Sequence, residues 1–265
     1  MFQTAKKIFD EVASHVRSAH LNVALGALMF GGNPAAVQFL DMQKKMARRV
    51  GVGFYPHIEP EDLCLKNAAL LLDAMCDAYD GVIVQLPLPQ HLDASFLDGI
   101  PTKKDPDVLS SESYRLFEQG TLHILPPVTG AVQEILLDQG ISIEGKNVVI
   151  VGAGGRVGKP TAIWAKRKGA NVTVLSKQMF GDGIGALQQA DIIISGAGVP
   201  WLVTSEMIKE GVVIIDAGTS QKNGSLCGDI APICRGKAAF LTPVPGGVGP
   251  VTTAVLFRNL LDLKD

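Results

Sequence analysis

A glycine-rich turn between two apolar segments is the first stretch of this sequence whose residue types suggest chemistry. The turn, Gly152–Gly158, holds four glycines and follows Val148–Val151, a β-branched run suited to a buried strand. A helical pattern, Pro160–Lys168, comes next. Glycine lets the backbone approach a phosphate closely, and a helix N-terminus offers free N–H groups and the positive end of its dipole. The pattern GxGxxxG is looser than GxGxxG, so an ordinary strand-to-helix turn is the alternative interpretation.

A glutamine at the end of another predicted strand is a second candidate for a site. The strand Gly81–Gln85 runs directly into Leu86-Pro87-Leu88-Pro89. Because proline cannot donate to a ladder, the strand must end there. Ligands bind at the carboxyl ends of parallel strands, so Gln85 would present its amide to a cleft. A polar strand-end residue that simply faces solvent is the alternative.

Two loops complete the set of candidates. The segment Pro101–Asp107 is charged and marked by prolines, and its Asp105 and Asp107 could be either site residues or turn formers. The segment Leu241–Thr252 has three prolines and three glycines. We expect it to form neither a helix nor a central strand, and its bare backbone could contact a flat ligand closely.

Repeated strand–helix units would position these residues. Their alternation predicts an α/β fold with a doubly wound parallel sheet and right-handed crossovers. The helix at 34–49 carries a basic cluster, Lys44–Arg49, which we interpret as a solvated face, the alternative being a docking patch for an anionic substrate tail. Strands are predicted at 21–30, 81–85, 148–151, 172–175, 191–195 and 212–216, and helices at 3–19, 34–49, 61–79, 129–139, 160–168 and 253–263.

Composition narrows the class of protein. The chain has 24 basic and 26 acidic residues and a net charge of −2, so it lacks the basic field that would attract nucleic acid or anionic lipid. Its apolar runs are shorter than a membrane span, and its start carries no secretory pattern. Four cysteines without CxxC pairing and five histidines without ligand spacing predict no metal site. We expect a cytoplasmic protein without nucleic-acid or membrane partners.

Taken together, the motifs resemble one family, the methylenetetrahydrofolate dehydrogenase/cyclohydrolases, often called FolD. They follow in the family's order and spacing over nearly the whole chain, and the last of them is the most specific. The motifs are GVIVQLPLP (81–89), KKDPD (103–107), PPVTG (126–130), GAGGRVGKP (152–160) and TPVPGGVGPVT (242–252).

The resemblance implies two α/β domains and a bifunctional enzyme of one-carbon metabolism. Residues 1–128, completed by the C-terminal helix at 250–265, would form the folate-binding catalytic domain. Residues 129–249 would form a Rossmann domain that binds NAD(P). Members of the family are typically homodimers formed through their Rossmann domains, so a homodimer with a folate substrate is implied here.

Site residues follow from the same resemblance, position by position. The implied catalytic residues are Gln43, Gln85 and Asp107. The implied substrate-binding residues are Phe39, Gln85, Asp107, Pro245, Gly246 and Gly247. The implied cofactor-binding residues are Gly152, Ala153, Gly154, Gly155, Arg156, Val157, Gly158, Ser176, Lys177 and Thr219, and no metal ligand is implied.

The match departs from the family at its catalytic centre. The family has a tyrosine and, four residues later, a lysine on the second helix, where this chain has Phe39 and Gln43. Hydride transfer needs positioning and a cofactor, whereas hydrolysis of the methenyl cation needs acid–base catalysis that glutamine cannot supply. We therefore expect a dehydrogenase with weak or absent cyclohydrolase activity.

A second departure concerns the cofactor. NADP-using members carry an arginine where this chain has Ala153, although the matching serine remains as Ser176. No acidic residue is present there to bind a ribose 2′-hydroxyl, while Lys177 or Arg156 could pair with a 2′-phosphate. We expect NADP, with NAD and ordinary surface cations as the alternatives. A non-catalytic folate- or nucleotide-binding paralogue and an oxidoreductase of a non-folate substrate are the competing functions.

Overall fold

The computed structural model describes residues 2–222 and 224–264 of an α/β protein. The chain divides into two compact units. One contains residues 6–127 and 253–264, and the other contains residues 128–252 and 2–5. Because residues from distant parts of the sequence complete each unit, neither is a continuous segment.

The unit built mainly from residues 6–127 is organised around a parallel sheet. In the described residues its strand order is β2-β1-β3, with Leu25 of β1 opposite Phe54 and Gly81. Helix α3 packs on β1 and β3, and Leu28, Leu72 and Met75 are almost completely buried between them. Its elements are α1 (Phe2–Ser18), β1 (Ala24–Phe30), α2 (Pro34–Val50), β2 (Gly53–Glu59), α3 (Leu65–Ala78), β3 (Gly81–Val84) and α4 (Ser111–Gln119).

The unit built from residues 128–252 contains a larger parallel sheet. Over the described residues the strand order is β10-β7-β6-β4-β5. Strands β6 and β7 are almost wholly buried and apolar except for their last residues, Ser195 and Asp216. Its elements are α5 (Pro127–Asp138), β4 (Asn147–Val151), α6 (Gly158–Arg167), β5 (Asn171–Leu175), α7 (Ile184–Gln189), β6 (Ile192–Ser195), β7 (Val213–Asp216), the hairpin β8 (Ser220–Lys222) and β9 (Ser225–Cys227), β10 (Phe240–Leu241) and the start of α8 (Val248–Asp262).

The later part of helix α8 belongs to the unit of residues 6–127. Asn259, which is 2% exposed, donates through Nδ2 to the carbonyl oxygens of Pro106 and Leu125, at 2.9 and 2.8 Å. The ring of Phe257 lies 6.3 Å from that of Phe9. These contacts place α8 in the core of this unit.

The predicted α/β fold with parallel sheets is confirmed, but the prediction that 241–252 contains no helix is wrong for its last five residues. Helix α8 begins at Val248, five residues before the predicted start, so Pro250 lies in its first turn. Proline is tolerated there because the first N–H groups of a helix have no intrahelical acceptor. Leu241 also pairs with Ile214 as part of β10, at the edge of the sheet. Strands β2 and β10, helices α4 and α7 and the β8–β9 hairpin were not predicted.

Candidate active site

Two glutamine side chains meet at the carboxyl end of β3. Gln85 continues the ladder, since its N–H donates to Leu28 O at 2.8 Å, and its side-chain Nε2 then donates to Oε1 of Gln43 at 3.3 Å. Gln43 is 3% exposed. Because a carboxamide does not titrate, this contact is a neutral hydrogen bond between a buried side chain, Gln43, and a partly exposed one, Gln85.

Helix α2 determines which of its side chains reaches Gln85. Its apolar residues at Leu40, Ala47 and Val50 are buried, and this face also carries Gln43. Phe39 lies one turn earlier at the edge of that face and is 37% exposed. The next residue, Lys44, is rotated by about 100° around the helix. The structure therefore brings Gln43 to Gln85 and leaves part of the Phe39 ring accessible to a ligand.

The loop before α4 separates the roles of Asp105 and Asp107. Asp105 is fully buried, and its carboxylate accepts hydrogen bonds from the N–H groups of Leu109 and Ser110, each at 2.9 Å, and from the Ser110 hydroxyl at 2.8 Å. Burial raises the pKa of Asp105, while these hydrogen bonds oppose the shift. Asp105 is therefore a turn former, one of the two alternatives considered from the sequence.

Asp107 lies half-buried inside the turn that Asp105 holds. The next residue, Val108, has φ 55°, a left-handed conformation that is unusual for a β-branched side chain. The neighbouring residue Pro106 packs against Gly81, which begins β3, whereas Gln85 follows its end. Pro106 therefore meets β3 at its first residue, four residues before Gln85.

The glycine-rich turn brings β4 and α6 into close contact. Gly152 has φ 98°, which favours glycine, and a Cβ on Gly158 would clash with the Gly152 carbonyl. Gly154 and Gly155 differ, because a Cβ on either would meet nothing within 4 Å. The protein's own packing therefore requires glycine at the two ends of the turn and leaves open space over its middle.

This open space lies at the start of a helix that has no side-chain cap. The N-cap residue of α6, Val157, makes no capping hydrogen bond through its side chain. Helix N-termini without such a cap bind anions through their backbone N–H groups and dipole. The residues of the turn therefore fit the pyrophosphate of a dinucleotide.

The other predicted cofactor residues follow the carboxyl ends of β4, β5 and β7. Since these strands are parallel, their ends share one edge of the sheet. Ser176 is half-buried, and the side chains of Ala153, Arg156, Lys177 and Thr219 are exposed.

Pro245, Gly246 and Gly247 lie in the loop between β10 and α8. Gly246 has φ 94°, and a Cβ on Gly247 would clash with the Pro243 carbonyl. The loop therefore depends on its glycines for its shape. Its first residue, Thr242, accepts a hydrogen bond through Oγ1 from the N–H of Asp216 at 2.7 Å, which fixes the loop to the end of β7.

Sequence reasoning missed two buried carboxylates beside this edge of the sheet, Asp216 and Asp229. Asp216 is 3% exposed, and burial together with the nearby charge of Asp229 raises its pKa to about 6. Asp229 is fully buried and accepts three hydrogen bonds. An aspartate directly after the apolar run of β7, and the Gly228-Asp229 pair, were the signals available in the sequence.

Among residues 2–222 and 224–264, no group of three or more His, Cys, Asp or Glu side chains is placed to hold a metal ion. Within the same ranges, no helix has both the length and the apolar character needed to span a membrane.

Comparison with known proteins decides the family. Residues 2–107 match the tetrahydrofolate dehydrogenase/cyclohydrolase catalytic domain, and residues 126–265 match the NAD(P)-binding domain of the same family. The chain belongs to the tetrahydrofolate dehydrogenase/cyclohydrolase family. The bifunctional protein FolD of Thermus thermophilus is 34% identical over 98% of this chain and 93% of its own length.

Solved structures of the family have the same fold. The FolD methylenetetrahydrofolate dehydrogenase/cyclohydrolase from Campylobacter jejuni superposes with a TM-score of 0.93 at 30% identity, covering 98% of this chain and 95% of that one. The enzyme from Trypanosoma brucei, solved with NADP cofactor and an inhibitor, gives 0.90 at 31% identity, covering 98% and 93%. The family resemblance inferred from the motifs is therefore confirmed over the whole chain.

Proposed function

We propose that this protein oxidises 5,10-methylenetetrahydrofolate to 5,10-methenyltetrahydrofolate with NADP and has little or no cyclohydrolase activity. The oxidation is supported by the family and by the open glycine turn at the start of α6. The observation that carries the second part is the hydrogen bond from Gln85 Nε2 to Gln43 Oε1. By the family resemblance, Gln43 stands at the position where the family has a lysine, and its neutral amide supports this part of the proposal.

Oxidation makes modest demands on the protein side chains. Bound NADP supplies a nicotinamide ring that accepts the hydride from the methylene carbon, and the cation that remains is stabilised by its two flanking nitrogens. The turn at Gly154 and Gly155 binds the pyrophosphate, while Phe39 and the Gln43–Gln85 pair orient the folate. Positioning of this kind can supply much of the rate without any proton transfer by the protein.

Hydrolysis of the methenyl product makes a different demand. Water must lose a proton and a ring nitrogen must gain one, and a positioned acid–base group typically contributes about 10²–10⁴ in rate. Gln43 cannot exchange a proton in the physiological range. The methenyl product should therefore leave this enzyme largely unhydrolysed.

NADP is the proposed cofactor, although Ala153 stands where the NADP-using members carry arginine. Ser176 remains at the end of β5, and the exposed cations Lys177 and Arg156 lie at the same edge of the sheet, where either would pair with a 2′-phosphate. The NADP complex of the Trypanosoma brucei relative supports the choice. NAD is the alternative cofactor.

Assembly and domain roles are part of the same proposal. The folate domain is residues 1–128 with 250–265, and the NADP domain is residues 129–249. Among the described residues, these boundaries differ from those of the two compact units only at 2–5, 128 and 250–252. Two chains associate through their Rossmann domains. The protein works in the cytoplasm on a small folate substrate, without nucleic-acid or membrane partners. Light scattering of the purified protein tests the homodimer.

One experiment separates this function from its competitors. The protein is incubated with methylenetetrahydrofolate and either NADP or NAD, and the reduced nicotinamide and the methenyl product are followed together. Equal amounts of both products, with the methenyl compound persisting, support the proposal. Absence of both products with either cofactor contradicts it and favours a non-catalytic paralogue or a non-folate substrate. Rapid loss of the methenyl compound contradicts only the missing cyclohydrolase activity.

A further inference from the structure

The buried carboxylate of Asp229 holds the loop that follows β6. Its Oδ2 accepts hydrogen bonds from the Ser195 hydroxyl and from the N–H of Ala197, each at 2.7 Å, and its Oδ1 accepts one from the N–H of Val199 at 2.8 Å. Hydrogen bonds to an ionised carboxylate are among the strong ones. The path of residues 195–199 is therefore fixed by one side chain that lies thirty or more residues later in the sequence.

Asp216 connects the same aspartate to the loops after β7 and β10. Its Oδ1 accepts from the N–H groups of Gly218 and Asp229 at 3.0 and 3.2 Å, and its Oδ2 accepts from that of Ile230 at 3.0 Å. Its own N–H donates to Thr242 Oγ1, at the start of the loop that contains Pro245. The two carboxylates thus join three loops at one edge of the sheet.

Two glycines show how closely these parts fit. A Cβ on Gly218 would clash with the carboxylate of Asp229, and a Cβ on Gly228 would clash with that of Asp216. Each aspartate therefore occupies the space that a side chain would take at a facing glycine. Such packing leaves the carboxylates little freedom to move.

The strand order indicates which part of the dinucleotide meets these loops. Pyrophosphate binds at the turn after β4, and the cations that would pair with a 2′-phosphate lie at that turn and after β5. In the order β10-β7-β6-β4-β5, the remaining half of the dinucleotide must extend over β6 and β7. These strand ends lie about 5 and 10 Å from β4, at the usual strand spacing. The nicotinamide half of a bound dinucleotide would therefore lie over the loops that Asp229 and Asp216 hold.

We infer that Asp229, acting with Asp216, is a positioning residue that shapes the loops receiving the nicotinamide half of the cofactor. It acts through the backbone of residues 196–199 and 217–219 rather than by touching the cofactor itself. The inference rests on the proposed function only in taking a nicotinamide dinucleotide as the ligand. Folate binding and the turn after β4 do not depend on it.

The test is a direct measurement of NADPH binding by fluorescence titration, without folate. The Asp229→Asn variant keeps the shape of the side chain but replaces one carboxylate oxygen with an NH₂ group. In either orientation this NH₂ group faces a donor, which is the N–H of Val199 on one side or the Ser195 hydroxyl and the N–H of Ala197 on the other. We expect the Kd for NADPH to rise about tenfold or more, because a charge-assisted hydrogen bond is replaced by two opposed donors. Ser195→Ala removes a single hydrogen bond and should raise the Kd by a smaller factor. If the Asp229→Asn variant fails to fold, Ser195→Ala still tests the inference.

Asp191→Asn is the matched control. Asp191 also accepts a backbone N–H, that of Asn147 at 2.9 Å, but it precedes β6 and so lies at the opposite edge of the sheet. The Kd of the Asp191→Asn variant for NADPH should stay within about twofold of the wild-type value. In the dehydrogenase assay, Asp229→Asn should raise KM for NADP far more than KM for folate, a split that a loss of folded protein alone would not produce.

The possible outcomes distinguish a failure of the Asp229 inference from a failure of the proposed function. A wild-type Kd in both Asp229→Asn and Ser195→Ala overturns the inference, and so does an equal loss of binding in Asp191→Asn. Wild-type protein that binds NADPH but does not oxidise methylenetetrahydrofolate contradicts the proposed function and leaves this inference standing. Wild-type protein that binds neither NADPH nor NADH overturns both.

Discussion

Gln85 donates through Nε2 to Oε1 of Gln43 across 3.3 Å, so the end of β3 and a buried face of α2 are joined by two neutral amides. The contact satisfies part of the hydrogen-bonding capacity of both side chains without placing a charge on the buried side chain of Gln43. This arrangement suits the binding of a polar ring better than the transfer of a proton. Because both side chains are neutral, the most direct prediction concerns cyclohydrolase activity.

Substitution of Gln43 by lysine should create or increase cyclohydrolase activity. An ammonium group at a position that is 3% exposed is poorly hydrated, so its pKa would fall towards neutrality, where it can exchange protons. We expect hydrolysis of methenyltetrahydrofolate to rise at least about tenfold, within the range of acid–base catalysis. The decay of methenyl absorbance measures it. Lys44→Gln is the control and should leave this rate unchanged.

Two results would contradict that prediction. One is a wild-type protein that already hydrolyses methenyltetrahydrofolate well above the spontaneous rate. The other is a folded Gln43→Lys variant without any gain. Adding Phe39→Tyr to the lysine variant tests whether the hydroxyl that the family carries one turn earlier is also needed.

Alanine in the middle of the glycine turn should weaken cofactor binding without destabilising the protein. A Cβ on Gly154 meets no protein atom within 4 Å, so Gly154→Ala should keep its Tm within about 2 °C. The same methyl group enters the space assigned to the pyrophosphate, and we expect KM for NADP to rise about tenfold. Thermal unfolding and steady-state kinetics measure the two effects.

Two other glycines provide the comparison. Gly158→Ala should lower Tm clearly, because its Cβ would clash with the Gly152 carbonyl. Gly185→Ala, in helix α7, also meets no atom within 4 Å but lies away from the turn, so it should leave KM for NADP unchanged. Equal KM values for Gly154→Ala and Gly185→Ala would remove the turn from the cofactor site.

Cofactor preference should respond to charge at the ends of β4 and β5. Ala153→Arg should raise the ratio of kcat/KM for NADP to that for NAD by about tenfold, since it adds a guanidinium able to pair with a 2′-phosphate. Lys177→Gln should lower the same ratio. Lys166→Gln, at the far end of α6, is the control for a general loss of positive charge. A ratio that stays constant in all three variants would contradict these assignments.

The buried carboxyl of Asp216 should give stability a distinctive dependence on pH. Burial raises its pKa from 3.8 to about 6, so between these values the folded chain holds a proton that the unfolded chain releases. Its contribution to the free energy of unfolding therefore falls as pH rises from about 4 to 6. The Asp216→Asn variant lacks this titrating group. Its free energy of unfolding minus that of the wild type should therefore rise by up to about 3 kcal/mol from pH 4 to pH 7.

Urea unfolding of both proteins at several pH values measures this difference. Asp191→Asn is a control of opposite sign: the hydrogen bond from Lys209 lowers the pKa of Asp191, so its contribution is lost as pH falls. If the difference in free energy of unfolding between wild type and Asp216→Asn does not change with pH, the pKa of Asp216 is not raised in the folded protein.

The features predicted well from the sequence are those determined by local patterns. The β4–turn–α6 unit follows from an apolar run, glycines and a helical period within about thirty residues. The position of Gln43 follows in the same way from Pro34 and Gly51 at the ends of α2. Strand β2 was missed because it carries Pro56 and exposes Tyr55, as an edge strand can.

The site residues that escaped prediction act over long distances in sequence. Asp229 holds Ser195 and Val199, about thirty residues earlier, and no local period announces such a contact. Asp216 at the end of β7 was visible as a polar residue after an apolar run, but its hydrogen bonds depend on the return of the chain at Ile230. The composition and local spacing of the sequence do not show that the chain comes back to Asp216 at Ile230.

Helix α8 also constrains the order of events during synthesis. Helix α8, with Asn259 and Phe257, completes a core whose other elements precede Pro127. Asn259 is made 134 residues after Leu125, to whose carbonyl oxygen it donates. Residues 6–127 therefore leave the ribosome first but must wait for α8, while the sheet of β4 to β7 can form in the meantime. The half of the protein made first is the half finished last.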